Sequence, residues 1–135
     1  MDSTYALYYV GLGRIRSVQG RFDEAVSEYR KASRFNMAYA SVGLAPALAR
    51  SGNTSEARTM LAQLIRQSES GRPQQVAIAA TYLALGERDS SLYWLEKAYD
   101  LRDGDLPWVR IMPMFDDIRS DARYVALMKK MGLEP

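Results

Sequence analysis

Residues 9–35, YVGLGRIRSVQGRFDEAVSEYRKASRF, decide the fold of this chain. The stretch predicts two short amphipathic helices joined at Gln19-Gly20-Arg21. Gly20 can adopt the left-handed conformation that ends one helix and turns the chain into the next. Small side chains at Gly13 and Ala25 let the two helices approach closely, while aromatic and aliphatic side chains fill the space around them.

The same frame occurs three times along the chain. Gly20–Ala25 recurs as Gly52–Ala57 and again, after a nearly equal interval, as Gly86–Ser91. Each glycine precedes a segment with an apolar stripe at helical spacing. Three glycines at nearly one period indicate a tandem repeat of helical hairpins.

This order of residues resembles the tetratricopeptide repeat, a helical hairpin of about 34 residues. The matching positions of the first repeat are Tyr9, Leu12, Gly13, Gly20, Ala25, Tyr29 and Ala32. The resemblance implies an all-α fold, in which three hairpins form a right-handed superhelix closed by a C-terminal capping helix. It implies a single domain over 1–135. The repeats are expected at about 4–36, 37–70 and 72–102, followed by a connection and the capping helix at 103–135.

Turn and capping residues predict where the helices begin and end. We expect helices at about 3–18, 21–34 and 37–50, a fourth that ends before a polar loop at 68–72, and two more reaching about 85 and 101. Residues 102–119 contain Gly104 and two prolines, which predicts a packed connection with one or two short helical turns. Ser120 is expected to cap the last helix. Trp108 is expected to lie in the core of this C-terminal cap, whereas an exposed Trp108 would instead mark a contact surface.

The C-terminal stretch carries a second resemblance, to the closing segment of repeat arrays in bacterial multidomain signalling proteins. The matching elements are WLEKAY at 94–99, the stretch from Pro113 to Tyr124, and MGL at 131–133. In such proteins a winged-helix DNA-binding domain, a Ser/Thr kinase domain or a nucleotide cyclase domain often precedes the repeats. This resemblance implies a scaffold or regulatory arm of a signalling or transcription-regulatory protein.

Composition narrows the chemistry. The 135 residues include no Cys and no His, so the chain has no thiol nucleophile, imidazole base or Cys/His zinc site. It also has no glycine-rich phosphate loop. The tail contains Asp100, Asp103, Asp105, Asp116 and Asp117, but their spacing matches no calcium-binding loop. We therefore predict no enzyme activity, no catalytic residue, no metal and no cofactor.

Charge and hydropathy bear on the partners. The net charge of +2 is too small to indicate nucleic-acid binding, although 1–72 carry ten basic and six acidic residues and 73–135 carry eight and ten. No apolar run reaches the roughly 20 residues that span a bilayer, and the N-terminus lacks the basic leader of a signal peptide. We expect a cytoplasmic protein with no membrane and no nucleic-acid partner.

The resemblance implies a concave groove, lined by the first helix of each hairpin, that binds a partner peptide or helix. The expected groove residues are Leu7, Val10, Arg14, Tyr39, Val42, Pro46, Arg50, Val76, Ala80 and Leu83. Positions that hold Lys, Asn and Arg in carboxylate-clamp members of the family are mostly apolar here, so that mode of binding is not expected. An apolar groove with two arginines favours a segment with hydrophobic anchors. Alternatively, the side chains pack in a narrow superhelix, or the chain's own tail fills it.

Two local features stand out. Pro46 falls inside the third predicted helix, where proline removes a hydrogen bond and costs about 3 kcal/mol. We predict a kink there and an unpaired Val42 carbonyl. The first predicted helix is apolar on nearly every side, which indicates that a preceding repeat or another subunit covers it. A homo-oligomerisation module is therefore one alternative function, and a groove for a small amphipathic ligand is another.

Overall fold

A computed structural model describes residues 3–35, 37–71 and 74–133, with only the helical backbone at Ser3 and over 37–42. The described chain is helical and has no strand in these ranges, which confirms the all-α part of the predicted fold. In the described ranges the chain forms seven α-helices: α1 (Ser3–Val18), α2 (Phe22–Phe35), α3 (Met37–Arg50), α4 (Thr54–Glu69), α5 (Gln75–Ala84), α6 (Arg88–Asp100) and α7 (Ala122–Lys130). Two 3-10 helices, Leu106–Ile111 and Pro113–Ile118, lie between α6 and α7.

The chain divides into two compact units, Met1–Gln63 and Leu64–Pro135. In the first, α2 packs on both α1 and α3. In the second, α5 packs on α6, and α6 also contacts the first 3-10 helix and α7.

Among the residues that the structure describes, five α-helices end in the same backbone arrangement. At the end of α1, the Gly20 N–H donates to the Ser17 carbonyl at 3.0 Å and the Arg21 N–H to the Arg16 carbonyl at 2.8 Å. Such a pair satisfies the last carbonyls of a helix and needs a left-handed residue at its centre. These central residues are Gly20, Gly52, Gly86, Arg102 and Gly132. The glycines that predict the helix ends therefore have the expected role.

Equivalent positions of the three frames are buried alike. The second helix of each frame buries a small residue, then a large one four residues later, then another apolar residue three residues after that. These sets are Ala25, Ala57 and Ser91; Tyr29, Leu61 and Leu95; and Ala32, Leu64 and Ala98. The period of the sequence thus recurs in the burial of the side chains.

Two glycines lie against Tyr29 in the first unit. A Cβ atom added to Gly13 of α1 would lie 2.7 Å from Cζ of Tyr29, and one added to Gly43 of α3 would lie 2.3 Å from the same atom. Both distances are far below normal carbon–carbon contact. Tyr29 is buried, and its ring occupies space that only glycine leaves open on both neighbouring helices.

The C-terminal segment is held together by Arg119. Its guanidinium donates to the carbonyl oxygens of Arg110 and Met112, to the Asp116 carboxylate at 2.9 Å and to the Tyr124 hydroxyl at 3.2 Å. These partners lie in both 3-10 helices, in the link between them and in α7. One side chain therefore connects the whole segment, which confirms the prediction of a packed connection with short helical turns.

Some predicted details of this fold are wrong. The cap of α7 is Asp121, whose side chain accepts the Arg123 N–H at 2.9 Å, and not Ser120. The predicted loop at 68–72 begins later, because α4 continues to Glu69. Trp108 is exposed rather than in the core.

The third helix runs from Met37 to Arg50 as predicted and continues through Pro46. The Pro46 side chain is buried. The kink and the unpaired Val42 carbonyl stay predictions.

Candidate protein-binding surface

The inner face of α1 packs within the first unit. Ala6, Val10 and Gly13 follow one another at the spacing of one helix face, and all three are buried. The Tyr5 and Tyr9 rings stack on Phe35 of α2, with centroids 5.5 and 6.0 Å away. These contacts fix α1 against α2 and determine which of its side chains point away.

The outer face of α1 exposes large apolar side chains. We define this outer face as Leu7, Tyr8, Gly11, Arg14, Ile15 and Val18. Its four large apolar members are exposed by 55% (Leu7), 60% (Tyr8), 50% (Ile15) and 69% (Val18). A contiguous apolar patch of this kind on a folded chain is typical of an interaction surface.

Gly11 lies at the centre of the outer face. Leu7 and Tyr8 precede it by four and three residues, and Arg14 and Ile15 follow it by three and four, so all four surround it on the helix surface. A Cβ atom added to Gly11 would meet nothing within 4 Å. The centre of the patch is therefore a shallow depression between larger side chains.

The charge of α1 is entirely positive. Between Ser3 and Val18 the helix carries Arg14 and Arg16 and no acidic residue. Arg16 pairs with Glu24 of α2, with 3.6 Å between Nε and the carboxylate oxygen, whereas Arg14 is exposed on the outer face. The outer face thus combines apolar side chains with one exposed cation.

Tyr29 couples this helix to α2 by polar contacts as well. Burial raises the pKa of Tyr29, while a hydrogen bond with the Ser17 side chain and the charge of Arg14 act in the opposite direction. The net pKa shift is upward, so the hydroxyl stays neutral well beyond physiological pH. The buried ring therefore adds no charge beneath the outer face.

The structure separates the expected groove residues by exposure. Leu7, Arg14 and Arg50 are exposed. The buried members are Val10, Pro46, Val76, Ala80 and Leu83. The side chains of Tyr39 and Val42 lie outside the described residues. In the first unit, the surface that a partner can reach therefore includes Leu7, Arg14 and Arg50.

Burial of the α5 members has a simple cause. This helix contains no charged residue between Gln75 and Ala84, and nearly all of its side chains are buried. A helix that is apolar all round is enclosed by its neighbours. Val76, Ala80 and Leu83 consequently offer a partner almost no side-chain surface.

A second exposed patch lies on the first 3-10 helix, where Trp108 follows the alternative to its expected core position. Residues three apart align on a 3-10 helix, so Asp105, Trp108 and Ile111 form one row, with Trp108 58% exposed. Burial, and then the charge of Asp103, raise the pKa of Asp105. The patch is thus apolar at one end and acidic at the other.

Within 3–35, 37–71 and 74–133, no three acidic side chains are grouped closely enough to hold a metal ion. In the same described ranges, no helix has both the length and the apolar character needed to cross a membrane. The outer face of α1 can bind a partner by burying apolar side chains and pairing Arg14, and that is the chemistry its residues support.

Comparison with known proteins finds no matching family model, no matching curated protein and no matching solved structure.

Proposed function

We propose that this chain is a tetratricopeptide-repeat module that recognises a partner protein. The recurring glycine-ended helices and the recurring buried positions support a repeat of this type. Our proposed arrangement is a right-handed superhelix of three hairpins with α7 as its cap. The module binds a peptide or helix of a partner and performs no chemistry.

One observation carries this proposal. The outer face of α1 exposes four large apolar side chains around Gly11, on a helix whose inner residues Ala6, Val10 and Gly13 are buried. Burial of apolar area provides most of the driving force for association. Because α1 is already held by α2, a partner that binds there orders little of this chain, and binding costs correspondingly less entropy.

The second resemblance suggests where such a module works. The C-terminal elements favour a scaffold or regulatory arm of a bacterial signalling or transcription-regulatory protein, acting in the cytoplasm. In this proposal the partner is a protein, and neither nucleic acid nor a membrane is bound by these residues. Arg14 and Arg50 are then available to pair with acidic groups of the partner.

Site-specific photo-crosslinking in the protein's native cells tests the proposal. A photoreactive phenylalanine analogue replaces Leu7 in one variant and Tyr93 in a second. Tyr93 is a matched control, since it is 53% exposed and lies on α6. We expect a discrete adduct from position 7, larger than the chain by the mass of a different protein, and none from position 93. Equal labelling at both positions, or none, would refute recognition through α1.

Homo-oligomerisation through α1 is the second candidate, because the same exposed apolar face favours it. In that case the adduct from position 7 has twice the mass of the chain, 15.2 kDa per copy. Light scattering over a dilution series gives an independent answer. A monomer at every concentration removes this candidate and leaves recognition of a different protein.

A further inference from the structure

The α3 helix repeats the central feature of the outer face of α1. Gly43 follows Gly11 by the same interval that separates Gly20 from Gly52 at the ends of the two helices. In α3 this glycine is covered, because the Tyr29 ring of α2 lies where its Cβ atom would be. A Cβ atom added to the equivalent glycine of α1, Gly11, would meet nothing within 4 Å. Gly43 and Gly11 are thus equivalent positions at which a helix can receive an aromatic ring, and we call each of them a ring seat. The seat at Gly43 is occupied by Tyr29, whereas the seat at Gly11 is open.

The residues around the two glycines show the same contrast. Pro46 and Ala47, three and four residues after Gly43, are buried. Their equivalents Arg14 and Ile15 are exposed. On α3, which receives the Tyr29 ring of α2, the two positions after the glycine are buried. On α1, which receives no ring, the equivalent positions are exposed.

We infer that the outer face of α1 binds an amphipathic helix of a partner protein, which seats a Tyr or Phe ring on Gly11 as Tyr29 is seated on Gly43. This inference rests on the proposed function and specifies the partner. The model for the partner helix is α2, in which small Ala25 and Ala32 lie four residues before and three residues after the ring. Small neighbours let two helices approach until the ring reaches the backbone of the other helix.

Charge indicates the remaining character of the partner helix. The α1 helix has two arginines and no acid, and Arg14 is exposed beside Gly11. A partner with Asp or Glu at the edge of its contact face, away from the positions four residues before and three after the ring, is complementary to this charge and associates faster for that reason. In α2 the acidic residues Asp23, Glu24 and Glu28 all precede Tyr29, whereas the basic residues Arg30, Lys31 and Arg34 follow it. The acids of the partner are accordingly expected on the N-terminal side of its ring.

A second copy of the chain fits this seat poorly. Its Tyr29 is enclosed by its own Gly13 and Gly43. Tyr93 is exposed on α6, but Asp89 and Glu96 lie four residues before it and three after it. A ring between two carboxylates cannot bring small apolar neighbours against Leu7 and Ile15, so the occupant that we propose is a different protein.

The probe for a direct test is a synthetic peptide with the sequence of residues 21–35. A hydrocarbon staple joins positions 30 and 34, which are exposed in α2, because a free helix of this length is marginal in water. Binding of the fluorescently labelled peptide to the full chain is followed by anisotropy. A second peptide carries Tyr29→Ala. We expect saturable binding of the first peptide and at least tenfold weaker binding of the second.

Variants of the full chain locate the seat. Gly11→Leu fills the depression and is expected to weaken peptide binding at least tenfold. Gly11→Ala is expected to weaken it severalfold while the melting temperature rises, since the added methyl group meets open space. The control Tyr93→Ala, which removes an equally exposed ring on α6, is expected to leave the affinity unchanged.

Three results would overturn the inference. They are no binding up to millimolar peptide, binding that survives Gly11→Leu, and self-association of the chain that Gly11→Leu abolishes. If the crosslinked adduct with a different protein at position 7 persists in Gly11→Leu, the proposed recognition function stands, and only the binding of an aromatic ring at Gly11 is refuted. If no adduct forms at position 7 but the peptide still binds, the proposed function is refuted, and the conclusion that an aromatic ring can bind at Gly11 stands.

Discussion

Replacing Gly43 by alanine should destabilise the first unit, because the new methyl group meets the Tyr29 ring. Normal carbon–carbon contact is about 3.5–4.0 Å, whereas the added Cβ atom would lie 2.3 Å from Cζ and 2.6 Å from the hydroxyl oxygen. The ring and the methyl group must therefore separate by more than about 1 Å. The ring is buried and also touches Gly13, so the helices have to move instead.

The expected net effect is the difference between two terms. Overpacking a core costs about 1–3 kcal/mol, and two helices pressing on one ring favour the upper end of that range. Gly→Ala inside a helix gains about 1 kcal/mol. We expect Gly43→Ala to lower the free energy of unfolding by about 2 kcal/mol. Gly13→Ala, where the distance is 2.7 Å, should lower it by about 1 kcal/mol. Gly11→Ala should raise it by about 0.5–1 kcal/mol.

Urea denaturation followed by far-UV circular dichroism measures all three variants. Both tryptophans, Trp94 and Trp108, lie in the second unit, so tryptophan fluorescence follows that unit separately. Tyr29→Leu, combined with Gly43→Ala, provides the internal check: the smaller side chain should recover at least about 1 kcal/mol of the loss as a coupling energy. If Gly43→Ala is as stable as the parent chain, or if Tyr29→Leu recovers nothing, the close approach of these helices is wrong.

Four further substitutions test other parts of the structure. Ser91→Ala should raise the free energy of unfolding by about 1 kcal/mol, because the buried Ser91 hydroxyl has no partner among the described residues; thermal denaturation measures it. Arg102→Gly should raise the same quantity by about 1 kcal/mol in urea, since Arg102 has a φ of +56° and glycine adopts that conformation without strain. Asp105→Asn should stabilise the chain at pH 7. Burial, and then the charge of Asp103, raise the pKa of Asp105 in the folded chain above its ordinary 3.8. The protonated Asp105 side chain therefore stabilises the folded state below pH 3.8, and this stability is lost as the pH rises through the folded pKa. The gain in urea midpoint from Asp105→Asn should vanish as the pH falls toward about 4. Arg119→Lys should cost about 2 kcal/mol, because an ammonium group cannot reach the carbonyl, carboxylate and hydroxyl partners together; tryptophan fluorescence should report the loss.

Local rules explain why much of the fold is predictable from the sequence. A glycine that ends a helix needs only its own backbone conformation, so Gly20, Gly52 and Gly86 mark helix ends without any knowledge of tertiary contacts. The buried stripes of α2, α4 and α6 follow the helical period in the same way. These features together predict the all-helical fold and most of its boundaries.

The seat on α3 depends on contacts between helices and is harder to predict. Gly43 looks like an ordinary helix-weakening residue until Tyr29 is placed beside it. Its one sequence signal is its interval from Gly11, which equals the interval between Gly20 and Gly52. The period of the repeat can therefore identify a seat, but only the structure shows which of the two glycines is covered.

Two C-terminal errors have separate causes. Ser120 and Asp121 are both good capping residues and are adjacent in the sequence. Which of them caps α7 depends on which residue has the non-helical backbone conformation of a cap. Trp108 was expected inside because it is large and apolar. On a 3-10 helix, however, it shares a row with Asp105 and Ile111, while Leu106 and Val109 are buried. The change of helix type thus alters which residues face solvent.

The position of Tyr29 also determines how small a cooperative part of this chain can be. A hairpin of α1 and α2 closes only one side of the ring, because Gly43 belongs to α3. In tandem helical repeats, stability is often approximated as the sum of an intrinsic energy for each hairpin and an interface energy between neighbours. If this approximation is applied to the α1–α2 hairpin, one ring contributes both to the energy of the hairpin and to its interface with α3, so the two energies cannot be separated. The smallest folding unit in this part of the chain is accordingly three helices, and hydrogen exchange should show α1, α2 and α3 opening together rather than as a hairpin followed by a third helix.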